Sequence, residues 1–236
     1  MNAWRGAIAL IGFAVLPLAR AADLQVDPVR IELSAQQRTA AVRIRNSSAQ
    51  ATTIRVLPYA WTHYDGRHVF APTGDLLVSP SGATIAPGGQ QVLRMILRRE
   101  PGTESELAYR VVVEAGPVQS TLRVNLTVFV RPTGGLGRPA MDWRLLPAPA
   151  NALKVELRNE GSAHVQVSDF ALYAPGSDTP LAREAVSAYV LAGQVHVWTL
   201  PIDTPFAVAG GPLRIEAYTD AGLVDADIGY AREPAQ

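Results

Sequence analysis

TLRVNLTVFVRP, residues 121–132, places Leu122, Val124, Leu126, Val128 and Val130 on one face and Arg123, Asn125, Thr127, Phe129 and Arg131 on the other. This is the period-2 pattern of a β-strand. The strand is long against the usual length of about five or six residues. Its second face mixes polar groups with one aromatic instead of forming a clean solvent face, so the strand has something to satisfy besides its own sheet.

Upstream, apolar runs of strand length recur at short intervals: LQVDPVRIEL, AAVRIRN, TTIRVLPYAWTHY, DGRHVFAPTGDLLVSP, TIAPGGQQVLRMILRR and LAYRVVVEAG. Polar or Gly/Pro clusters punctuate them, with Asp65-Gly66 and Pro87-Gly88 as tight turns. LAYRVVVEAG is placed to pair with 121–132 across Gly116-Pro117. About seven strands fit between residues 23 and 132, the count of an immunoglobulin-like sandwich. Arg131 to Met141, RPTGGLGRPAM, is rich in Gly and Pro and marks a boundary. A second β-series follows: DWRLLPA, ALKVELRNEG, HVQVSDFALYA, AYVLAGQVHVWTLP and LRIEAYTDAG. The expectation is an all-β chain of two sandwiches, residues 22–131 and 142–236, joined by a linker at 132–141 and set at an angle with a cleft between them.

Composition narrows the function. Valine and alanine are plentiful, lysine is nearly absent beside arginine, and the net charge is zero. That removes the electrostatic case for nucleic acid, which needs a basic field. Residues 1–21 read as a signal peptide, with Arg5, an apolar run from Ala7 to Leu18, and the small-x-small site Ala19-Arg20-Ala21. The run is shorter than the roughly 20 residues of a spanning helix, so no membrane insertion is expected after cleavage. With no cysteine, the exported chain relies on core packing without disulfides or thiolate metal sites.

No catalytic constellation assembles. His63, His68, His164 and His196 fall on different strands or loops, and no GxSxG, HExxH or P-loop spacing is present. His63 and His68 flank a hairpin turn and read as surface histidines, not a metal pair. Asp220, Asp225 and Asp227 lack the glycine and closing glutamate of a calcium loop, and Gly134, Gly135 and Gly137 precede no helix that would bind phosphate. Neither an enzyme, nor a metal, nor a cofactor is expected. Arg30, in VDPVRIEL, stands either in a surface ion pair of little weight or in a functional site.

VDPVRIEL, LPYAW, DLLVSPSGATIAPGGQQVLRMIL, AYRVVVEA, VFVRP, LRNEG, AYVLAGQVHVWTLP and YTDAG, in this order and spacing, resemble the periplasmic chaperones of chaperone–usher pilus assembly. The short loop before residue 121 and the Tyr59–Trp61 segment resemble the archaic, or alternative, branch. The resemblance implies a periplasmic chaperone that lends a strand to an incomplete pilin subunit, the donor-strand complementation known as one mode of strand addition, and passes it to an outer-membrane usher. Pilin-like subunits and the usher are the implied partners, with self-association of the free protein as a further expectation.

Residue by residue, the resemblance makes Arg30 the anchor for the subunit's C-terminal carboxylate. A second basic residue is expected at position 127, where this chain has threonine, which leaves Arg123, Arg94 and Arg110 as candidates for that charge. Val118, Leu122, Val124, Leu126 and Val128 fall on the donor strand, although Leu126, Val128 and Val130 can equally fill the chain's own core. The competing class is an exported structural or adhesive sandwich that itself enters a surface fibre.

Overall fold

In the computed structural model, residues 23–64, 67–102, 104–116, 121–135, 137–202 and 212–230 are described. The expected signal peptide, Val118 and the Asp65-Gly66 turn lie outside them. The chain is all β, with two sandwiches, each around its own apolar core.

The first sandwich has ten strands where about seven were expected, because the chain breaks long runs to change sheets. One sheet orders β1 (Leu24–Asp27), β3 (Thr39–Asn46), β8 (Gln90–Leu97) and β6 (Leu76–Ser79). The other orders β2 (Arg30–Leu33), β10 (Leu122–Val130), β9 (Leu107–Ala115), β4 (Thr52–Tyr64) and β5 (Arg67–Pro72), with β7 (Gly82–Ile85) also on β4. VDPVRIEL, a single run in the sequence, is therefore two strands in two sheets. Pro28 has no N–H to give a ladder, and the chain crosses between the sheets there.

The second sandwich packs β11 (Met141–Leu146), β12 (Ala152–Asn159) and β15 (Val195–Pro201) against β14 (Pro180–Val190), β13 (Val165–Tyr173), β16 (Leu213–Thr219) and β17 (Gly222–Ile228). One asparagine secures a turn in each sandwich. Asn46 donates to the carbonyls of Gln50, Ile85 and Ala86, and Asn159 to those of Ala163 and Val190. The segment before β11 is less loose than its composition suggests. Ser162 N–H donates to Arg138 C=O and Glu160 N–H to Ala140 C=O. Gly161 lies so close beneath this segment that a Cβ would stand 2.2 Å from Arg138 O.

β10 explains its own odd composition. It pairs antiparallel with β9 along its whole length, Leu122 to Val130, but with β2 only from Thr127 to Val130, in parallel. Among the described residues, the outer edge of Leu122–Leu126 has no neighbouring strand. Thr127 N–H points outward to Val29 C=O, so by backbone alternation the N–H and C=O of Arg123 and Asn125 point to that open edge. The even-numbered side chains face the domain's core: Leu126, Val128 and Val130 are sealed there, while Leu122 and Val124 are half-buried at its open end.

This difference is testable by thermal and denaturant unfolding. Leu126→Asp sets an unpaired charge in the core and should cost about 4 kcal/mol or more. Leu122→Asp, at the open end, should cost about 1 kcal/mol and leave a cooperative transition.

Candidate functional site: the cleft face of β10

The odd-numbered face of β10 divides at Leu126. Arg123 and Asn125 are exposed, whereas Thr127 and Phe129 are buried, Phe129 against the second sandwich. Phe129 is the aromatic that had no evident place on a polar face. Its ring stacks on His164 at 3.5 Å between centroids and 7° between planes, and it packs with Trp61, Tyr189 and Leu191 into a small core between the domains.

Register sets the charged residues around Thr127. Arg30 on β2 and Arg110 on β9 are its direct neighbours on either side, so the three form one row across the sheet. Two strand spacings, about 10 Å, separate the backbones of the arginines, and the short threonine stands where a lysine was expected.

The two arginines have different surroundings. Arg30 is ringed by partners: Nε donates to Glu32 at 3.1 Å, Nη1 to Asp220 at 3.3 Å, and Nη2 to His164 Nε2 at 2.8 Å. A guanidinium accepts no hydrogen bond, so His164 Nε2 carries the lone pair. The ring proton then sits on Nδ1, which donates to Glu106 at 2.6 Å. Burial opposes the charge on Arg30, but the hydrogen bonds to Glu32 and Asp220 outweigh it and raise its pKa. Because Asp220 and His164 belong to the second sandwich, this chain of contacts also ties the domains together.

Among the described residues, Arg110 touches no carboxylate. It donates to Thr127 Oγ1 at 2.9 Å, and its guanidinium carbon lies 4.2 Å from the Trp61 ring centroid and 5.8 Å from that of Phe70. Burial lowers its pKa, with Tyr189 opposing. A half-buried cation held by a hydroxyl and aromatic faces is electrostatically open to an anion.

The other candidate arginines lie elsewhere. Arg123 shares Glu114 with Arg55, and these two guanidiniums, Arg55 foremost, hold Glu114 below the ordinary carboxylate range. Arg94, on β8, is exposed on the outer surface of the opposite sheet.

Of His63 and His68, read from the hairpin as surface histidines, His68 is exposed and His63 is buried. With His196 of β15 they form a cluster between the domains, with His63 buried. Trp61 Nε1–H can only donate, and it donates to His68 Nδ1 at 3.1 Å, so the 2.5 Å contact there carries the proton on His63 Nε2. His63 Nδ1 is then an unprotonated buried nitrogen with no partner. Pattern in the sequence could not find this cluster, since it forms only when the domains meet. No group of three or more His, Asp or Glu among the described residues is arranged to hold a metal ion.

Residues 23–135, which span the first sandwich, match the family described as pili and flagellar-assembly chaperone, PapD N-terminal domain. In fold the chain is similar to the CsuC–CsuE chaperone–tip adhesion subunit pre-assembly complex from archaic chaperone–usher Csu pili of Acinetobacter baumannii. The TM-score is 0.69 at 17% identity, over 89% of this chain and 100% of that one. It is also similar to the Pseudomonas aeruginosa CupB2 chaperone, with TM-score 0.55 at 17% identity over 88% and 100% of the two chains. A third likeness is to the Salmonella enterica SafA pilin–SafB chaperone complex, with TM-score 0.57 at 15% identity over 89% and 97%. No curated protein sequence matches. The first sandwich thus matches the N-terminal domain of pilus-assembly chaperones, and the whole chain shares the two-sandwich fold of the solved chaperones.

Protonation of the histidine cluster opposes the folded, domain-joined form. Burial, then His68 and His196, push His63 down to about 4 from the usual 6.5, and burial lowers His68 and His196 as well. The folded form therefore binds fewer protons than the unfolded chain, so the cluster's contribution is complete above pH 6.5 and is lost as pH falls towards 4. Denaturant midpoints measured from pH 7.5 to 4 should fall for the wild type and fall less for His63→Gln.

Proposed function

We propose that the protein is a periplasmic, non-enzymatic pilus-assembly chaperone of the archaic branch, which captures pilin-like subunits by donor-strand complementation at the open edge of β10 and then delivers them to an outer-membrane usher. The observation that carries this reading is where the edge ends. The unpaired stretch Leu122–Leu126 stops at Thr127, where β2 takes over the pairing, and Thr127 is the residue flanked by Arg30 and Arg110.

An incoming strand can occupy the edge only up to that point. If it runs parallel to β10, its C-terminus arrives beside the two arginines. If it runs antiparallel, it brings an ammonium to them instead. Two cations at the stop therefore select a strand that lies parallel and ends there in a carboxylate. Main-chain groups of Arg123 and Asn125 supply the pairing, while Leu122 and Val124, at the open end of the core, face the gap left by the subunit's missing strand. Each side chain so buried contributes roughly 1.5–3 kcal/mol. Leu126 and Val128 hold the chaperone's own sandwich and set the strand's position. Arg110 serves as the second anchor, and Arg123 stays with Glu114.

The same edge would let the free protein self-associate, since unpaired strand edges pair with one another. The fibre-subunit alternative has no support from the first sandwich, whose opening strands β1 and β2 are integral to its two sheets.

Co-expression with a pilin-like subunit from the same gene cluster tests the proposal. A charge-assisted bond to the carboxylate is worth about 1.5–3 kcal/mol. Arg110→Gln and Arg30→Gln should therefore each weaken subunit binding about ten- to a hundredfold, and Leu122→Asp should abolish co-purification, all with the fold intact. Arg94→Gln should leave the yield of complex unchanged. Equal yields from all four variants would refute the site.

A further inference from the structure

Arg30 and Arg110 flank the same residue, yet among the described residues Arg30 has carboxylate partners and Arg110 has none. Each of the three nitrogens of Arg30 already has an acceptor. Three of its five N–H groups are committed and two carboxylates already offset its charge, so an incoming carboxylate competes at Arg30 with a resident partner.

The surroundings decide which one. Glu32 lies two residues along the same strand and reaches Arg30 from the same face. His164 is fixed from every side: its main-chain N–H donates to Glu106 at 3.0 Å, its Nδ1 donates to the same carboxylate, and its ring is stacked on Phe129. Both His164 and Glu106 have only 6% of their side-chain surface exposed. Asp220 makes the longest of the three contacts to Arg30, and its side chain is 32% exposed. One oxygen, Oδ1, accepts from Gln166 N–H at 2.8 Å, which keeps the carboxylate aimed across the domain boundary, while Oδ2 meets Arg30. The tight turn from β16 to β17, closed by Gly222 at φ +123°, presents it.

We infer that Asp220 is a built-in competitor for the subunit's terminal carboxylate, occupying Arg30 in the free chaperone and yielding it on capture. This rests on the proposed role of Arg30 and Arg110 as carboxylate anchors. Arg110, unopposed, makes the first contact, and Arg30 follows by exchanging Asp220 for the newcomer. The exchange replaces a contact between the chaperone's two domains with one between chaperone and subunit. By linkage, whatever strengthens the Arg30–Asp220 contact weakens carboxylate binding to the same degree. Asp220 thus sets how readily the cleft closes on a carboxylate terminus.

Acetate is a sufficient probe, read by NMR at the Nε–Hε resonances of Arg30 and Arg110 in the full-length mature protein. Asp220→Asn keeps the shape and the acceptor for Gln166 N–H while removing the charge, and Asp220→Ser serves as the second variant. In the wild type, Arg110 should respond at lower acetate than Arg30. In the Asp220 variants the Arg30 midpoint should move to about five-fold lower acetate, the scale of a partly exposed ion pair, with the Arg110 midpoint unchanged. An Arg30 midpoint that is the same or higher in the variants overturns the competitor role and leaves the anchors standing. Absence of any response at both arginines, in wild type and variants alike, overturns the anchors themselves and the competitor role with them.

Discussion

The structure depends on where β2 begins to pair with β10. Because the chain leaves one sheet at Asp27 and joins the other at Arg30, the edge of the second sheet is covered from Thr127 onward and uncovered before it. One crossover therefore produces both the reactive edge and its stop. The same register sets Arg30 against Thr127, so the point at which pairing becomes impossible is also the point of positive charge. Had β1 continued in the second sheet, β10 would be an interior strand with no edge to lend.

The cleft balances charges that would otherwise repel. Arg30 is neutralised by Glu32 and Asp220, while Arg110 rests on Trp61, Phe70 and the hydroxyl of Thr127. A lysine at position 127 would put a third cation between the two. Threonine relieves that crowding and gives Arg110, one strand over, an acceptor. The aromatic surroundings have a further effect, because Trp61, Phe129 and Tyr189 also form the small core that holds the domains together. The residues that position Arg110 and those that fix the domain angle are in part the same.

Much of this was legible in the sequence. The alternation of β10 and the second β-series after Met141 follow from local pattern, and the resemblance singles out Arg30, whose place beside Thr127 is set by the register of β2. The division of β10 at Leu126 did not, since an alternating strand looks the same whether its edge is covered or bare, and only the register with β2 separates the two halves. For the same reason the sealed Leu126 and Val128 could not be told from the half-buried Leu122 and Val124. His164, Glu106 and Asp220 were out of reach because each acquires its role from a partner in the other domain. Arg110 could be named only as one arginine among three, and its lack of a carboxylate is a property of the folded cleft.

Hydrogen exchange at the main-chain amides of Arg123 and Asn125 measures the open edge directly. Both should exchange quickly in the free monomeric chaperone, while Val124 and Leu126, bonded inward to β9, exchange slowly, and both should become protected in a purified complex with a pilin-like subunit. Slow exchange at Arg123 and Asn125 in the free monomer, or exchange in the complex as fast as without the subunit, would contradict the lending of this edge.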